Sequence, residues 1–371
     1  KWQLAGGRST QDVSLAIVHV ASGREWRGGQ RQVWLLARAL GQSGAKQVVI
    51  TGAGTELAHR LQSSGVRVRE AAWKAGLDPR VLWPILQELR RPNTVLHAHD
   101  AHSLTLAGAC SALTGAPLVV TRRVIFPLRR RGFWLRAQRV IAISEAVRNA
   151  LVADGVRRER IVLVPSAVDV EDSPTPIPAS IRHALGLPEN GRLAVSLAAL
   201  TPEKDQSTMV AAAGLLVRDL PNLHWVIAGE GPLRSLLEQR IAAAGLSGRF
   251  HLVGQLPDPH TALAGADVCV LSSTSEGLGS SILAAMAVGV PVVATRVGGI
   301  PELLGTGAGL MVSPGDPSGF AAAVRRVLTE PDLREKLIRI GRAESVRFSV
   351  RGMAERVLGV YRSCVHSLDG S

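Results

Sequence analysis

Three imidazoles and a carboxylate fall within six residues, His97-Ala98-His99-Asp100-Ala101-His102. Side chains two apart on an extended strand share one face, so His97 and His99 could grip a divalent ion together. The same spacing equally suits buried structural histidines with a single aspartate at the end of a strand. A metal-dependent hydrolase needs further His or Asp ligands at later strand ends, and the remaining histidines form no such series. No metal is therefore expected, and Asp100 is the residue of interest.

Two other stretches have the composition of anion sites. Gly28-Gly29 follows an apolar run and precedes the helical pattern Gln30 to Leu40. Glycines there let the backbone approach a ligand, and a helix N-terminus offers free amides with a partial positive charge; a ligand-free tight turn fits as well. Glu276-Gly277-Leu278-Gly279-Ser280-Ser281 likewise joins "DVCVLSS" to the helical run "SILAAMAVG". Its Gly and Ser residues suit a phosphate or diphosphate. Glu276 reads either as a site carboxylate or as a charge favoured by the helix dipole. Lys204, in "LTPEKDQ", is either a surface lysine or a mobile point charge for a phosphate.

A third feature is basic. "TRRVIFPLRRRGFWLRAQR" carries Arg122, Arg123, Arg129, Arg130 and Arg131 among Phe126, Phe133 and Trp134. Arginines interleaved with aromatic rings suit an anionic membrane surface. A solvated basic face is the plain alternative, and no nucleic-acid module accompanies the run. The charge is lopsided over the whole chain. Lys1 to Thr175 holds 25 Lys/Arg against 13 Asp/Glu, whereas Pro176 to Ser371 holds 18 against 17. An anionic partner for the first half is implied.

The elements that must position these groups repeat in a βαβα rhythm. "LAIVHV", "QVVI", "TVLHAH", "PLVVT" and "RVIAIS" read as strands, with helical patterns between them. The prolines of "VEDSPTPIPAS", Val170 to Ser180, interrupt the rhythm as a linker would, and it restarts at "LAVSLAA". The expected fold is α/β, with two Rossmann-like, doubly wound parallel-sheet domains facing a cleft. Residues 1–172 would form the first and 173–348 the second, with 349–371 a closing helix packed back on the first. Three widely spaced cysteines fit a reducing compartment. No apolar run approaches the roughly 20 residues of a membrane span, and "KWQLAGGRSTQD" lacks the apolar stretch of a secretion signal.

The phrases "GGQRQVWLLARAL", "VLHAHD", "VIAISEAVRNAL", "LTPEKD", "WVIAGEGPLR", "HLVG" and "ADVCVLSSTSEGLGSSILAAMAVGVPVVATRVGGIPELL" occur in an order that resembles one family. It is the retaining nucleotide-sugar glycosyltransferases of family four, with the two-Rossmann GT-B fold, and the resemblance covers about Ile17 to Pro317. It implies that Gly28 and Gly29 face the donor diphosphate and the transferred sugar. Lys204 would neutralise the departing diphosphate without a metal, and Glu276 would hold donor hydroxyls. The amides of Gly279, Ser280 and Ser281 would cradle sugar and phosphate, and backbone groups near Val253 would hold the base. Asp100 would lie beside the reacting sugar.

The implied partners are a sugar nucleotide and an anionic or lipid-linked glycan of cell-envelope or lipopolysaccharide type, with neither cofactor nor nucleic acid. The implied place is the cytoplasm, peripheral on the inner face of the cytoplasmic membrane through the basic first domain. Arg122, Arg123, Arg129, Arg130 and Arg131 would serve the acceptor or that surface. Three positions depart from the family pattern. Ala284 stands where a second Glu grips the ribose, Ala199 where an Arg precedes the lysine, and Arg123 where a His is usual. They keep two other readings in view, a catalytically weakened sugar-nucleotide-binding protein and a sugar-nucleotide epimerase of the same fold.

Overall fold

The computed structural model describes residues 15–73, 78–128, 131–169, 181–188, 190–256 and 262–366. The proline-rich segment 170–180 and the arginines Arg129 and Arg130 lie outside the described residues. By contact the chain divides into two compact units, Lys1–Ala167 with Val350–Ser371, and Val168–Ser349.

The first unit runs β1 (Ala16–Ala21), α1 (Gly28–Gln42), β2 (Lys46–Gly52), α2 (Glu56–Ser63), β3 (Val68–Ala71), α3 (Leu82–Glu88) and β4 (Thr94–Ala98). It continues with α4 (Ala101–Thr114), β5 (Leu118–Arg122), α5 (Gly132–Arg136), β6 (Arg139–Ala142), α6 (Glu145–Ala153) and β7 (Ile161–Leu163). Among the described residues its sheet has the order β3-β2-β1-β4-β5-β6-β7, parallel throughout. The order turns at β1 and β4, the kind of position beside which open α/β sheets bind ligands.

The second unit runs α7 (Ile181–Ala184), β8 (Arg192–Leu197), α8 (Gln206–Leu216), β9 (Leu223–Ala228), α9 (Arg234–Ala243), β10 (Phe250–Gly254) and β11 (Val268–Leu271). It ends with α10 (Ser280–Val288), β12 (Val292–Thr295), α11 (Ile300–Leu304), β13 (Leu310–Val312), α12 (Pro317–Thr329) and α13 (Pro331–Ser345). Its sheet order is β10-β9-β8-β11-β12-β13, again parallel among the described residues and turning at β8 and β11.

The closing helix α14 (Val350–His366) belongs to the first unit. Met353, Val357, Val360, Tyr361 and Cys364 recur at helical spacing and join Leu36 and Leu40 of α1 over Ile17, Val95, Val119 and Ile141. Those four strand residues are odd-numbered, so the pleat brings His19, His97, His99 and Thr121 to the same face further along. The histidines are therefore extensions of an apolar layer, and α14 closes over them.

Candidate functional site

In the second unit the loops after β8, β11 and β12 are stitched together by short polar contacts. Lys204 closes a 3-10 turn, Pro202–Lys204, and Asp205 follows with φ 41° and caps α8 through Thr208. The Ser272 hydroxyl, just past β11, lies 2.9 Å from the Lys204 carbonyl and 2.8 Å from that of Asp205. The Thr274 amide donates to Glu203 O. These bonds fix the backbone beneath Lys204, so only its flexible side chain remains to be placed.

Glu276 places it. Lys204 Nζ lies 2.5 Å from Glu276 Oε1, and Ser273 Oγ donates to the same oxygen at 2.9 Å. Thr295 Oγ1 in turn donates to Ser273 O. The carboxylate is only 11% exposed and the lysine side chain 21%, so this pair is far less screened than a surface pair. Three residues later Gly279 adopts φ 97° and starts α10, whose first turn has no side-chain cap. A cation, a carboxylate and a helix N-terminus thus share one edge of the sheet, suited to a ligand with both hydroxyls and phosphates.

Gly298 supports this edge from the next loop. It sits at φ +51°, and a Cβ there would lie 1.8 Å from the Glu276 carbonyl oxygen. Gly298→Ala is expected to cost about 3 kcal/mol, combining left-handed strain with a backbone clash. A urea melt checks it: a midpoint equal to that of the parent would mean that the loop can move aside.

At the far edge, β10 pairs with β9 up to Leu252↔Ile227 and resumes at Gly254↔Ala228. Val253 falls in that irregularity, leaving its backbone off the regular ladder, which fits recognition of a ligand by main-chain groups. Gly254 has φ 77°, with the Glu230–Arg234 pair against it. Ala284 is 2% exposed within α10. The Ala199 carbonyl accepts a 2.7 Å bond from Gln206 Nε2.

In the first unit Gly28 and Gly29 open α1, again with no side-chain cap. The Arg123 side chain passes Gly29, its Cδ 3.9 Å from where a Cβ would stand, and its Nη1 donates to His99 O at 2.7 Å. Burial pulls the Arg123 guanidinium down to about 10, opposed by the charge of Asp100. Arg122 also turns inward, donating to Val124 O and Phe126 O and lying over the Trp134 ring. Arg131 is exposed, 3.6 Å from Asp154. Of the arginines expected to face an acceptor, two therefore fix the loop after β5 and one reaches solvent.

The Asp100 carboxylate has many partners. It accepts from the Ser22 amide at 2.8 Å and the Ser22 hydroxyl, and from the amides of His102 and Ser103 at 3.1 and 2.8 Å. The Asp100 amide in turn donates to Ser103 Oγ at 3.1 Å, which completes a capping box on α4. The carboxylate pins the loop after β1 to the start of α4, a positioning task in the described state.

The histidines form one buried array. His97 bonds Tyr361 OH at 2.6 Å through Nδ1 and Thr121 Oγ1 at 2.7 Å through Nε2, and His19 Nδ1 meets His99 Nε2 at 2.9 Å. Nitrogens of His19, His97 and His99 lie within 4.8 Å of one another, a spacing that an ion could use. His19 Nε2 and His99 Nδ1 are buried without a hydrogen-bond partner among the described residues, whereas both nitrogens of His97 are engaged and the Arg123 cation lies nearby. An ion held by all three rings would have to displace one of the His97 bonds and face the guanidinium. Burial lowers all three imidazoles, His19 to about 4. They are neutral at pH 7.

Sequence reasoning missed His19, Ser22, Ser273 and Tyr361. Two of them left a signal: Tyr361 is the chain's single tyrosine, and His19 interrupts the apolar strand "LAIVHV".

Known families match on both sides of the unit boundary. Residues 26–172 fit the model "Glycosyltransferase Family 4" and residues 179–344 fit "Glycosyl transferases group 1". The chain belongs to the family-four, group 1 glycosyltransferases. It is 29% identical to a 2-deoxystreptamine glucosyltransferase of Streptomyces kanamyceticus over 81% of this chain and 90% of that one. A putative glycosyltransferase EpsD of Bacillus subtilis is 32% identical over 49% of this chain. The lipopolysaccharide core biosynthesis glycosyltransferase LpsE of Rhizobium meliloti is 33% identical over 49%. The chain spans about half the length of these two relatives, 48% and 53%. Among solved structures, Anabaena Alr3699/HepE in complex with UDP and glucose superposes with TM-score 0.83 at 20% identity, covering 94% of this chain and 100% of that one. That likeness establishes the GT-B fold expected of the family.

Proposed function

We propose that this glycosyltransferase moves a sugar from a nucleoside-diphosphate sugar to an anionic or lipid-linked glycan, with retention at the anomeric carbon and without a metal. The observation that carries the reading is the Lys204–Glu276 pair beside the uncapped start of α10. The bond from the anomeric carbon to the diphosphate oxygen breaks as that from the acceptor oxygen forms. The acceptor proton passes to the departing diphosphate. Lys204 and the amides of Ser280 and Ser281 stabilise the charge on the leaving group, and Glu276 holds hydroxyls of the donor sugar. Main-chain groups at Val253 hold the base. UDP and glucose in the HepE structure support a donor of this class. The basic first unit and the lipopolysaccharide relative support an acceptor at the inner face of the cytoplasmic membrane.

A thermal-shift panel of sugar nucleotides, followed by NMR of the product's anomeric proton, tests this. A donor at a hundred times its dissociation constant should stabilise by about 2.7 kcal/mol, and the product should keep the donor's configuration in excess chelator. An inverted product, or loss of turnover on chelation, would overturn the mechanism. Ala284 and Ala199 favour a second reading, a weakened sugar-nucleotide binder. It would show the shift with no transfer, and an epimerase would release a free isomerised sugar.

A further inference from the structure

Six large apolar side chains of the first unit stand exposed among the described residues: Trp83, Leu113, Val124, Phe126, Leu135 and Val152, with Leu113 at 75% and Trp83 at 58%. They are not scattered. All lie on the crossovers that carry the chain from β3 through β4, β5 and β6 to β7, which step across the sheet in one direction. Right-handed crossovers put such helices on one face, and α1 and α14 cover the other. The layer is continuous. Phe133 of α5 fills the space above Gly108 of α4, Leu135 reaches within 4.0 Å of a Cβ position at Gly155, and Arg160 Nη1 donates to Leu135 O.

The same stretch is strongly basic. Asp78 to Arg160 contains fourteen arginines, no lysine and six carboxylates. Five of those carboxylates are used inside the unit. Asp78 pairs with Arg80, Glu88 with Arg67 and Arg69, and Glu145 with Arg148, while Asp100 caps α4 and Asp154 accepts from the Leu128 amide. Arg136, Arg157 and Arg158 are exposed around Leu135 and Val152, and Arg90 lies over the exposed Trp83 ring. No helix among the described residues is long and apolar enough to cross a membrane.

We infer that this helix layer is a docking surface for an anionic lipid leaflet. The apolar side chains enter the boundary between headgroups and acyl chains, and the arginines meet lipid phosphates. Aliphatic Leu113, Leu135 and Val152 favour lipid over nucleic acid, which gains from stacked rings and phosphate contacts but offers aliphatic groups no apolar phase. The inference rests on the transferase reading only for the place where an acceptor is met; the binding itself needs no turnover.

The test is flotation of the full chain with vesicles of phosphatidylcholine alone or mixed with phosphatidylglycerol. Binding should require phosphatidylglycerol and weaken as salt rises. Each arginine near such a surface contributes roughly fivefold, so Arg136→Glu with Arg158→Glu should weaken binding by at least about 25-fold. Leu113→Ser with Leu135→Ser should also weaken it, at unchanged charge. Melting curves exclude misfolding, and the sugar-nucleotide thermal shift should survive in both variants. Equal binding to both vesicle types, parent-like binding by either pair of substitutions, or tighter binding to duplex DNA would overturn the inference. Absence of the nucleotide shift in the parent protein would instead count against the transferase reading.

Discussion

Replacing Lys204 by methionine is expected to lower kcat/KM for sugar transfer by 10²- to 10³-fold, the usual effect of removing one donor aimed at developing charge. Glu276→Gln, which retains hydrogen bonding but loses the carboxylate charge, should cost roughly ten- to a hundred-fold. The double variant should fall well short of the product of the two. The two groups hold each other at 2.5 Å. The binding energy of a donor must therefore first release Lys204 towards the diphosphate and free Glu276 for sugar hydroxyls. Once either partner is gone, that release no longer costs anything. A double-mutant cycle on kcat/KM measures the coupling, expected at about 1–3 kcal/mol. Multiplicative losses would show that the pair does not have to part during turnover. The stability readout differs from the kinetic one. Lys204→Met leaves a mostly buried carboxylate with Ser273 as its described partner, so the melting midpoint should fall. Glu276→Gln leaves a cation on a flexible stem that can swing to solvent, and should cost less.

This pair also shows what the sequence makes legible. Alternating β-branched runs and turn residues read out the two parallel sheets, and Gly279-Ser280-Ser281 after a strand marks a helix start open to an anion. Those signals are local, spanning one element and its turn. The pairing of Lys204 with Glu276 joins residues 72 apart in the chain, and no local pattern encodes it. The demand for glycine at 298 comes from the Glu276 carbonyl 22 residues earlier, so "RVGGIPELL" shows the glycine without its reason. Asp100 is the instructive middle case. Aspartate followed three residues later by serine is a helix-capping signal, and capping α4 while holding Ser22 is what its carboxylate does. The arginines after β5 differ from one another in a way that the sequence does not show. Counting charges cannot separate Arg122 and Arg123, spent on carbonyls of their own unit, from Arg136, which faces solvent.

The histidine array carries the largest expected effect on stability. His19 is lowered to about 4 and His97 and His99 lie well below the ordinary value of 6.5, burial being the main cause in each. In the unfolded chain all three titrate near 6.5, so as pH falls below that value the unfolded state takes up protons that the folded state refuses. Stability is therefore full above about pH 7 and is lost on acidification through 6.5, down towards pH 4 for His19. By pH 5 the loss is about 2 kcal/mol for His19 alone, and His97 and His99 add to it in the same direction. Glu88 is held low by Arg67 and weakens folding only at more acidic pH, so the window from 6.5 to 4.5 is dominated by imidazoles. In the second unit His224 and His251 are lowered as well, but both are partly exposed and lose less. Urea melts at pH 7.5 and 5 should thus show the first unit unfolding well ahead of the second in acid, with no such gap near neutrality. His19→Gln should remove one proton from the pH slope of the first transition even where it lowers stability at pH 7.5. A slope unchanged by that substitution would mean that His19 is already free to protonate in the folded protein. The closure of α14 over the array through Tyr361 would then be looser than the 2.6 Å contact to His97 implies.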